Sequence, residues 1–357
     1  GFRPDYATVV YTQILKKLFP SSPVLIGGIE ASMRRLMHYD YWSDRLEPSI
    51  LISSGADLLI FGMAERAVAQ LAGRLLAGEK MKEIHDLPQS AFTVSSGTVM
   101  PPLPGIRDRA LRPCHEALAS RKVYAENFVL FEKTSNSMKP VRLTEQCGDV
   151  TVVVNPPLPP ATEAETDAVY DLPFNYAPHP RYEKKGAIPA WEMIKFSVNI
   201  HRGCFGGCSF CAIAAHQGKF ISSRSEASVM REVEKISRMD GFKGYLSDLG
   251  GPSANMYRMA GRDRERCMKC GRPSCIWPSV CDNLETSHRE LTLLYKKVNS
   301  LPYIRKAFIG SGVRYDLLMK DYNKAAGNEE EQYLRELVVN HTSGRLKVAP
   351  EHTDDEV

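Results

Sequence analysis

Three cysteines lie close together near the middle of the chain, in the run His201-Arg-Gly-Cys204-Phe-Gly-Gly-Cys208-Ser-Phe-Cys211. Their spacing is C-x3-C-x2-C, and three thiolates on one tight loop can bind three corners of a [4Fe–4S] cluster. Because an all-cysteine cluster site uses four ligands, a set of three leaves one iron available to another ligand. The glycines of this loop favour the same interpretation, since backbone that curls around a cluster needs unusual dihedral angles.

Two further interpretations of the triplet remain open. A zinc site would need a fourth ligand, such as His216, although zinc ligands usually come as two separated pairs. A cluster used only for electron transfer would need a fourth cysteine, often one followed by proline. The clustered spacing after a strand favours an open iron–sulfur site over both.

A second group of cysteines follows with the spacing C-x2-C-x4-C-x5-C, and Gly271, Pro273 and Pro278 favour turns between them. Four ligands in such a short stretch could close around zinc or a second cluster, and a complete set predicts a structural role. Metal binding is the favoured interpretation, and the alternative is a set of unligated thiols in a rigid insertion. These cysteines are Cys267, Cys270, Cys275 and Cys281.

Residues 1–100 show the strand, glycine turn and helix order of an open parallel sheet. Apolar spacing predicts helices over 6–19 and 64–78 and short buried strands over 23–28 and 56–62. The first hundred residues are therefore predicted to form a Rossmann-like α/β domain.

Residues 101–195 are rich in proline and are predicted to be a connector, with short strands over 127–132 and 150–154. Residues 196–357 return to β/α alternation, with a helix predicted over 223–239 that Ser223 and Glu226 would cap. Parallel strands joined this way suit a partial TIM-like barrel, in which ligands lie at the carboxyl ends of the strands. The predicted barrel strands cover 196–200, 244–248, 307–310 and 346–349.

The composition is that of an ordinary water-soluble globular protein, with 357 residues, 43% hydrophobic residues and a net charge of +4. No run of about 18 apolar residues predicts a membrane-spanning helix. The clustered cysteines suggest a cytoplasmic, metal-binding enzyme more than a secreted disulfide scaffold. The chain begins without methionine and stops just after a strand-like run, so we expect a piece of a longer protein that is truncated at both ends.

The motif C-x3-C-x-aromatic-C after a strand resembles the signature of the radical S-adenosylmethionine (SAM) superfamily. Further runs resemble its YgiQ family, and this resemblance covers nearly the whole chain. That resemblance implies that SAM binds the open iron and is cleaved by one electron to methionine and a 5′-deoxyadenosyl radical, which abstracts hydrogen from a substrate. It also implies a reducing partner such as flavodoxin or ferredoxin. The matching runs start at Gly27, Asp248, Ser311 and Leu346 and end at Arg35, Tyr257, Asp316 and His352.

The same resemblance implies which residues contact SAM. Phe210 would lie near the adenine, and the diglycine Gly250-Gly251 resembles the motif that meets the SAM amino group. Three later residues lie at or after predicted strand ends, where barrel enzymes keep ligand-facing groups. Ser311 could meet the ribose or carboxylate and Arg314 a carboxylate, while Glu351 could take a ribose hydroxyl. An ordinary turn, helix capping or surface ion pairs could also explain these residues.

An insertion predicted over 258–283 carries the second cysteine group and several basic residues. They could bind RNA or another polyanion, although a solvated surface is the favoured interpretation. The chain could also be a radical SAM methyl- or methylthio-transferase acting on RNA or protein, or a metal-stabilised nucleic-acid-binding protein without radical chemistry. The first domain is similar in fold to cobalamin-binding domains, but no D-x-H-x-x-G signature occurs, so we predict no bound cobalamin.

Overall fold

The computed structural model describes residues 4–322 and 329–348. The chain forms two compact units. The first holds the chain up to Pro159 together with Ser209–Gly218 and Arg264–Pro273. The second holds Pro160–Cys208, Lys219–Asp263 and the described residues from Ser274 onward.

The strands are short, and most of them lie in the first half of the chain. They are β1 (Leu25–Ile26), β2 (His38–Asp40), β3 (Arg45–Glu47), β4 (Leu58–Ile60), β5 (Ser90–Ser95), β6 (Arg107–Ala110), β7 (Val141–Cys147), β8 (Val150–Val154), β9 (Ser197–Asn199), β10 (His201–Arg202), β11 (Ser222–Ser223), β12 (Tyr245–Leu246), β13 (Asp248–Gly250) and β14 (Lys306–Ala307).

The helices are distributed along the whole described chain. They are α1 (Ala7–Leu18), α2 (Gly28–Met33), α3 (Ile50–Ser54), α4 (Glu65–Leu76), α5 (Cys114–Ala119), α6 (Arg121–Ser135), α7 (Glu163–Tyr170), α8 (Pro189–Ile194), α9 (Ile213–Gln217), α10 (Glu226–Ser237), α11 (Arg264–Lys269), α12 (Arg289–Asn299), α13 (Tyr315–Tyr322) and α14 (Glu329–Glu336). Short 3-10 turns at Met81–Glu83 and Pro180–Lys185 and a π-helical turn at Leu337–His341 complete the set. None of these helices is long and apolar enough to cross a membrane.

The first unit is built on a six-stranded sheet with the order β1-β4-β5-β8-β7-β6. The predicted parallel pairing of β1 with β4 is confirmed. However, β4 with β5, β5 with β8 and β8 with β7 are antiparallel, so the sheet is mixed and not the open parallel sheet expected. Half of its strands come from residues 101–159, which were predicted to belong to a connector.

Apolar side chains cover both faces of this sheet. On β4, Leu58 and Ile60 pack into one hydrophobic cluster and Leu59 into another, as the alternation of side chains along a strand requires. The buried run Leu58–Ile60 therefore reads as continuously apolar in sequence because it has protein on both sides.

The strand predicted over 127–132 is wrong, because these residues lie in helix α6. Ser120 caps this helix, because its hydroxyl accepts a hydrogen bond from the Val123 amide. Leu130 and Phe131 face the core, whereas Phe128 and Val129 are exposed. A short apolar run does not by itself distinguish a strand from a helix. In this segment two of the four apolar residues face solvent.

The second unit contains parallel pairs, as predicted for its α/β alternation. Strand β9 pairs with β13, and β12 pairs with β14, both in parallel. Helix α10 buries Val229, Val233 and Ile236 against the same core as helix α12. Val313 and Val348 form a further parallel bridge. Within residues 4–322 and 329–348 these strands do not close into a barrel, so the structure supports the mixed α/β class and not the finer barrel assignment.

The predicted cap of α10 is also corrected. Ser225, and not Ser223, caps the helix, because its hydroxyl accepts the amide hydrogen of Ser228 while its own backbone is extended. Ser223 instead lies in β11, where it pairs with His201 of β10. The extended segment before the helix is therefore β11, and it pairs with β10, the strand that leads into the cysteine loop.

Candidate iron–sulfur and cofactor site

The cysteine loop leaves the end of a parallel strand. The Ile200 amide donates to Gly250 O at 2.8 Å, which fixes the chain next to β13 before it enters β10. Gly203 and Gly207 then have φ angles of 87° and 64°, which L side chains rarely adopt. These two glycines let the backbone curl between Cys204 and Cys208.

Cys204 and Cys208 point to the same side of this loop. A Cβ atom on Gly206 would lie 3.3 Å from Cys204 Sγ and 3.5 Å from Cys208 Sγ. The Gly206 amide also lies 3.4 Å from Cys204 Sγ, in hydrogen-bonding geometry. The loop is therefore shaped as a cradle lined by two sulfur atoms, with a glycine where any side chain would fill it.

Cys211 and Phe210 lie on Ser209–Gly218, the segment that belongs to the first unit. Cys211 is half-buried, and Phe210 is 72% exposed. An aromatic side chain with so much accessible surface can pack on a ligand ring. The role of Cys211 as third ligand and the contact of Phe210 with adenine remain predictions.

Arg314 is brought to the cysteine loop. Its Nη1 atom donates to Cys208 Sγ at 3.4 Å, and its Nη2 atom forms an ion pair with Asp316 at 2.6 Å. Buried Asn255 holds its backbone from both sides, accepting from the Arg314 amide at 2.8 Å and donating to the Arg314 carbonyl at 2.9 Å. Arg314 therefore pairs with the carboxylate of Asp316, and the positive charge of the Arg314 guanidinium lies beside Cys208 Sγ.

Gly251 makes room for a histidine. A Cβ atom at this position would lie between 2.4 and 2.8 Å from three ring atoms of His201, so even alanine would collide with the imidazole. This steric reason for glycine adds to the predicted one, which was close approach of backbone to a ligand. Sequence reasoning assigned no role to His201, although it lies only three residues before Cys204.

The His201 ring is fully buried, and among the described residues neither of its nitrogens has a hydrogen-bond partner. Burial lowers the pKa of His201 to about 3, so the ring is neutral at ordinary pH. The hydroxyl of Ser253, two residues after Gly251, is likewise buried without a described partner. Buried polar groups are normally satisfied, so two such groups near one diglycine indicate a place for a polar ligand or ordered water.

Gly250 and Ser311 meet at a carboxylate that sequence reasoning had not singled out. Asp248 accepts a hydrogen bond from the Gly310 amide at 2.7 Å and one from the Ser311 hydroxyl at 2.9 Å. A Cβ atom on Gly250 would lie 2.9 Å from both Asp248 Oδ1 and Ser311 Oγ. The predicted residues Gly250 and Ser311 are thus brought together at neighbouring strand ends, with Asp248 orienting the hydroxyl.

The second cysteine group is divided between the two units. Cys267 and Cys270 lie on Arg264–Pro273 of the first unit, at the end of α11. Cys275 and Cys281 belong to the second unit, where they pack in the same small apolar cluster as Cys204. The Cys275 amide donates to Phe205 O at 3.0 Å. A four-cysteine metal site therefore stays a prediction, while its second half directly supports the cysteine loop.

Several of the remaining predicted groups have structural partners. His216 Nδ1 lies 2.9 Å from Ser32 Oγ, an interaction that occupies one nitrogen of the candidate zinc ligand. Arg258 forms ion pairs with Glu163 and Glu290, which favours a solvated, ion-paired surface over a nucleic-acid site. Arg262 is similarly paired with Glu285. Glu351 lies outside the described residues.

Comparison with known proteins identifies the family. Residues 1–197, more than half of the chain, match the family model described as Radical SAM N-terminal. The chain also matches curated relatives named UPF0313 protein along nearly its whole length. It therefore belongs to the radical SAM superfamily and, within it, to the UPF0313 family.

The name of these relatives states no reaction. The one from Porphyromonas gingivalis is 54% identical over 99% of this chain and 56% of its own length. The relative from Bacteroides thetaiotaomicron is 52% identical over 99% of this chain and 58% of its length, and one from Clostridium botulinum is 40% identical over all of this chain and 54% of its length. The chain thus spans about half the length of the curated relatives it matches.

The residues present fit the cofactors that this superfamily implies. Two thiols line a glycine cradle, a guanidinium adjoins one of them, and a buried imidazole without a described partner lies beside the diglycine. Thiolates are the ligands that iron–sulfur clusters require, and unsatisfied buried donors and acceptors suit a polar ligand.

Proposed function

We propose that the chain carries the catalytic core of a radical SAM enzyme. Cys204, Cys208 and Cys211 would hold a [4Fe–4S] cluster, and SAM would bind between that loop and the strand ends at Gly250 and Ser311. The observation that carries the proposal is the convergence of the Cys204 and Cys208 sulfurs on Gly206, beside strand ends that hold unsatisfied polar groups. When bound, these groups would supply one-electron cleavage of SAM to methionine and a 5′-deoxyadenosyl radical.

The chain's own residues have distinct tasks in this proposal. Gly203 and Gly207 provide the curvature that lets the thiolates face one point. Arg314 places positive charge beside Cys208, which stabilises a thiolate relative to a thiol. Asn255 fixes Arg314 through two backbone hydrogen bonds and therefore acts as a positioning residue.

Around SAM, the residues would bind and orient polar groups. His201 is neutral, so it can donate a hydrogen bond through one ring nitrogen and accept one through the other. Asp248 fixes the direction of the Ser311 hydroxyl, which then offers an acceptor lone pair to a ligand. Phe210, with its large accessible surface, would cover the adenine.

The test is anaerobic reconstitution of the full chain with iron and sulfide, followed by reduction with dithionite and addition of SAM. We expect about four irons per chain by the cluster stoichiometry, a change in the electron paramagnetic resonance spectrum when SAM is added, and release of 5′-deoxyadenosine and methionine. An assembled cluster whose spectrum ignores SAM, with no SAM cleavage, would reject the proposal. The physiological reductant is proposed to be a flavodoxin or ferredoxin.

The names of the relatives state no reaction, so the alternatives for this site are distinguished by experiment. A methyl- or methylthio-transferase would use the same cluster, and transfer of label from [methyl-³H]SAM to RNA or protein would identify it. The ion pairs of Arg258 and Arg262 disfavour a nucleic-acid-binding protein without radical chemistry. Salt-dependent retention of RNA on a filter by the cluster-free chain would revive that hypothesis.

A further inference from the structure

A third group of cysteines lies in the first unit, and its members belong to none of the motifs that sequence reasoning selected. Cys114 is the first residue of α5, and Glu145 and Cys147 lie on β7. Side chains two residues apart on a strand project to the same face, so Glu145 and Cys147 both point toward one neighbour. Helix α5 packs on that strand and brings Cys114 to them.

The three side chains converge closely. One ligand atom from each of Cys114, Glu145 and Cys147 lies within 4.8 Å of the other two. The Cα atoms of the two cysteines are 4.9 Å apart, and the structure joins their sulfurs as a disulfide. The group is buried, since Cys114 is 5% and Glu145 only 2% exposed.

The carboxylate is the feature that needs an explanation. Met37 N donates to Glu145 Oε2 at 2.7 Å, and within residues 4–322 and 329–348 the Glu145 carboxylate has no other hydrogen bond and no ion pair. A carboxylate removed from water without a counter-charge is costly in free energy. A disulfide would account for the two sulfur atoms but not for a buried carboxylate directed at them, whereas a cation would account for all three groups.

We propose that Cys114, Glu145 and Cys147 bind a zinc ion in the first unit once a cellular thiol has reduced the disulfide by two electrons, which yields two cysteine thiols and the oxidised thiol. Two thiolates and one carboxylate form a donor set typical of Zn²⁺, whereas Ca²⁺ and Mg²⁺ take oxygen ligands only. Binding requires the deprotonated thiolates and carboxylate, and the two positive charges of the ion offset two of the three negative charges of these ligands. The Met37 amide then orients the carboxylate from outside the metal shell.

Such a site would join a helix to a strand across 33 residues of sequence. Cys114 begins α5, and Cys147 ends β7, so the ion would hold the helix against the sheet at one point. Three protein ligands leave the fourth tetrahedral position of zinc to water or to another ligand. The site is independent of the proposed function, since neither the cysteine loop nor SAM enters it.

The test is cysteine alkylation of the full chain, which is first reduced with a phosphine that is then removed, kept without oxygen and loaded with Zn²⁺ alone. Peptide mass spectrometry reports Cys114 and Cys147 separately from the remaining cysteines. We expect both to be protected, and their labelling rate to rise about tenfold or more when a chelator is added without reductant. Protection that only a reductant removes would mean a disulfide, and rapid labelling before chelation would mean unligated thiols. Either result overturns the proposal.

A matched pair of variants tests the carboxylate. Glu145→Gln keeps the shape of the side chain but removes its charge, and we expect zinc affinity at this site to fall about tenfold or more. Glu132→Gln is the control, because Glu132 is a half-buried glutamate of the same unit on α6 and not a member of the group. Competition with a chromophoric chelator measures both affinities. Equal affinities for the two variants would show that Glu145 does not bind the metal.

Discussion

Two of the cysteine groups of this protein, the cysteine loop and the Cys114–Cys147 pair, are built in opposite ways. Cys204 and Cys208 lie on a glycine-rich loop after β10, with Arg314 beside one sulfur and a buried imidazole nearby. Cys114 and Cys147 lie on a helix and a strand, with a buried carboxylate and, among the described residues, no ion pair to that carboxylate. The first arrangement supplies positive charge to the sulfurs, and the second supplies another negative group.

This difference teaches what each region can hold. Glycine curvature and a guanidinium suit a large anionic cofactor with an accessible face, since the backbone must wrap around it and its charge must be balanced. Three anionic ligands on regular elements suit a small divalent cation, because a single ion fits between side chains that the fold already brings together. If the two regions are independent, a change in one of them should leave the chemistry of the second intact.

The largest expected effect is loss of the iron–sulfur cluster from one region only. Cys208→Ser removes a cradle sulfur, and we expect iron bound after reconstitution to fall to background, because serine is a poor ligand for the cluster. Cys147→Ser is the comparison, and it should retain the iron of the unaltered chain. Iron analysis and the visible absorption of the cluster measure both. Equal loss of iron in the two variants would break the distinction between the regions.

The cysteine triplet and its neighbours show how far sequence alone reaches. Spacing predicted the loop, and β/α alternation predicted that Gly250 and Ser311 would lie at strand ends, where they meet. His201, Asp248 and Asn255 were given no individual role, because nothing in their local sequence shows that their side chains are buried or which groups they contact. Burial gives these three their roles, and burial depends on contacts far apart in sequence.

The sequence predicted helices whose local patterns are long. It did not predict the sheet, because strand pairing determines the arrangement there. Helices α1 and α4 lie within two residues of their predicted bounds. The mixed sheet could not be predicted, because the direction of β5, β7 and β8 depends on which strands they pair with and not on their own residues. The Cys114–Cys147 pair was invisible for the same reason, since only the packing of α5 on β7 brings its two members together.

Gly251→Ala should destabilise the second unit through a steric collision. Its Cβ atom would overlap the His201 ring, so we expect a loss of about 1–3 kcal/mol in the free energy of unfolding. Gly73→Ala is the control in the first unit, because nothing lies within 4 Å of its Cβ position inside α4, and it should stabilise by about 1 kcal/mol. Denaturant unfolding measures both.

The collision itself can be isolated. His201→Ala removes the ring, so adding Gly251→Ala to that variant should cost little. A full cost in the double variant would mean that Gly251 is needed for a reason other than the imidazole.

The unpartnered histidine also predicts how stability depends on pH. Because the folded pKa of His201 is about 3 and the ordinary pKa of histidine is 6.5, the unfolded chain takes up this proton first as pH falls. Stability should therefore decrease between about pH 6.5 and pH 3, by about 1.4 kcal/mol for each pH unit below 6. The variant His201→Gln lacks this contribution, so its unfolding free energy should depend less steeply on pH. The remaining histidines act in both proteins and cancel in the difference; equal slopes would show that the imidazole is solvated or paired.

The smallest effect expected is a shift in the reduction potential of the cluster. Arg314 lies 3.4 Å from Cys208 Sγ, and a nearby positive charge favours the reduced, more negative cluster. Arg314→Met should retain the iron but lower the potential by on the order of 50 mV, nearly a tenfold change in a one-electron equilibrium. Arg314→Lys keeps the charge while losing the planar contact with Asp316, so its shift should be smaller. Redox titration followed by electron paramagnetic resonance measures the potentials. If Arg314→Met leaves the potential unchanged while Cys208→Ser abolishes the cluster, the guanidinium only supports Asp316, and the contrast in charge between the two thiol regions has no electronic consequence.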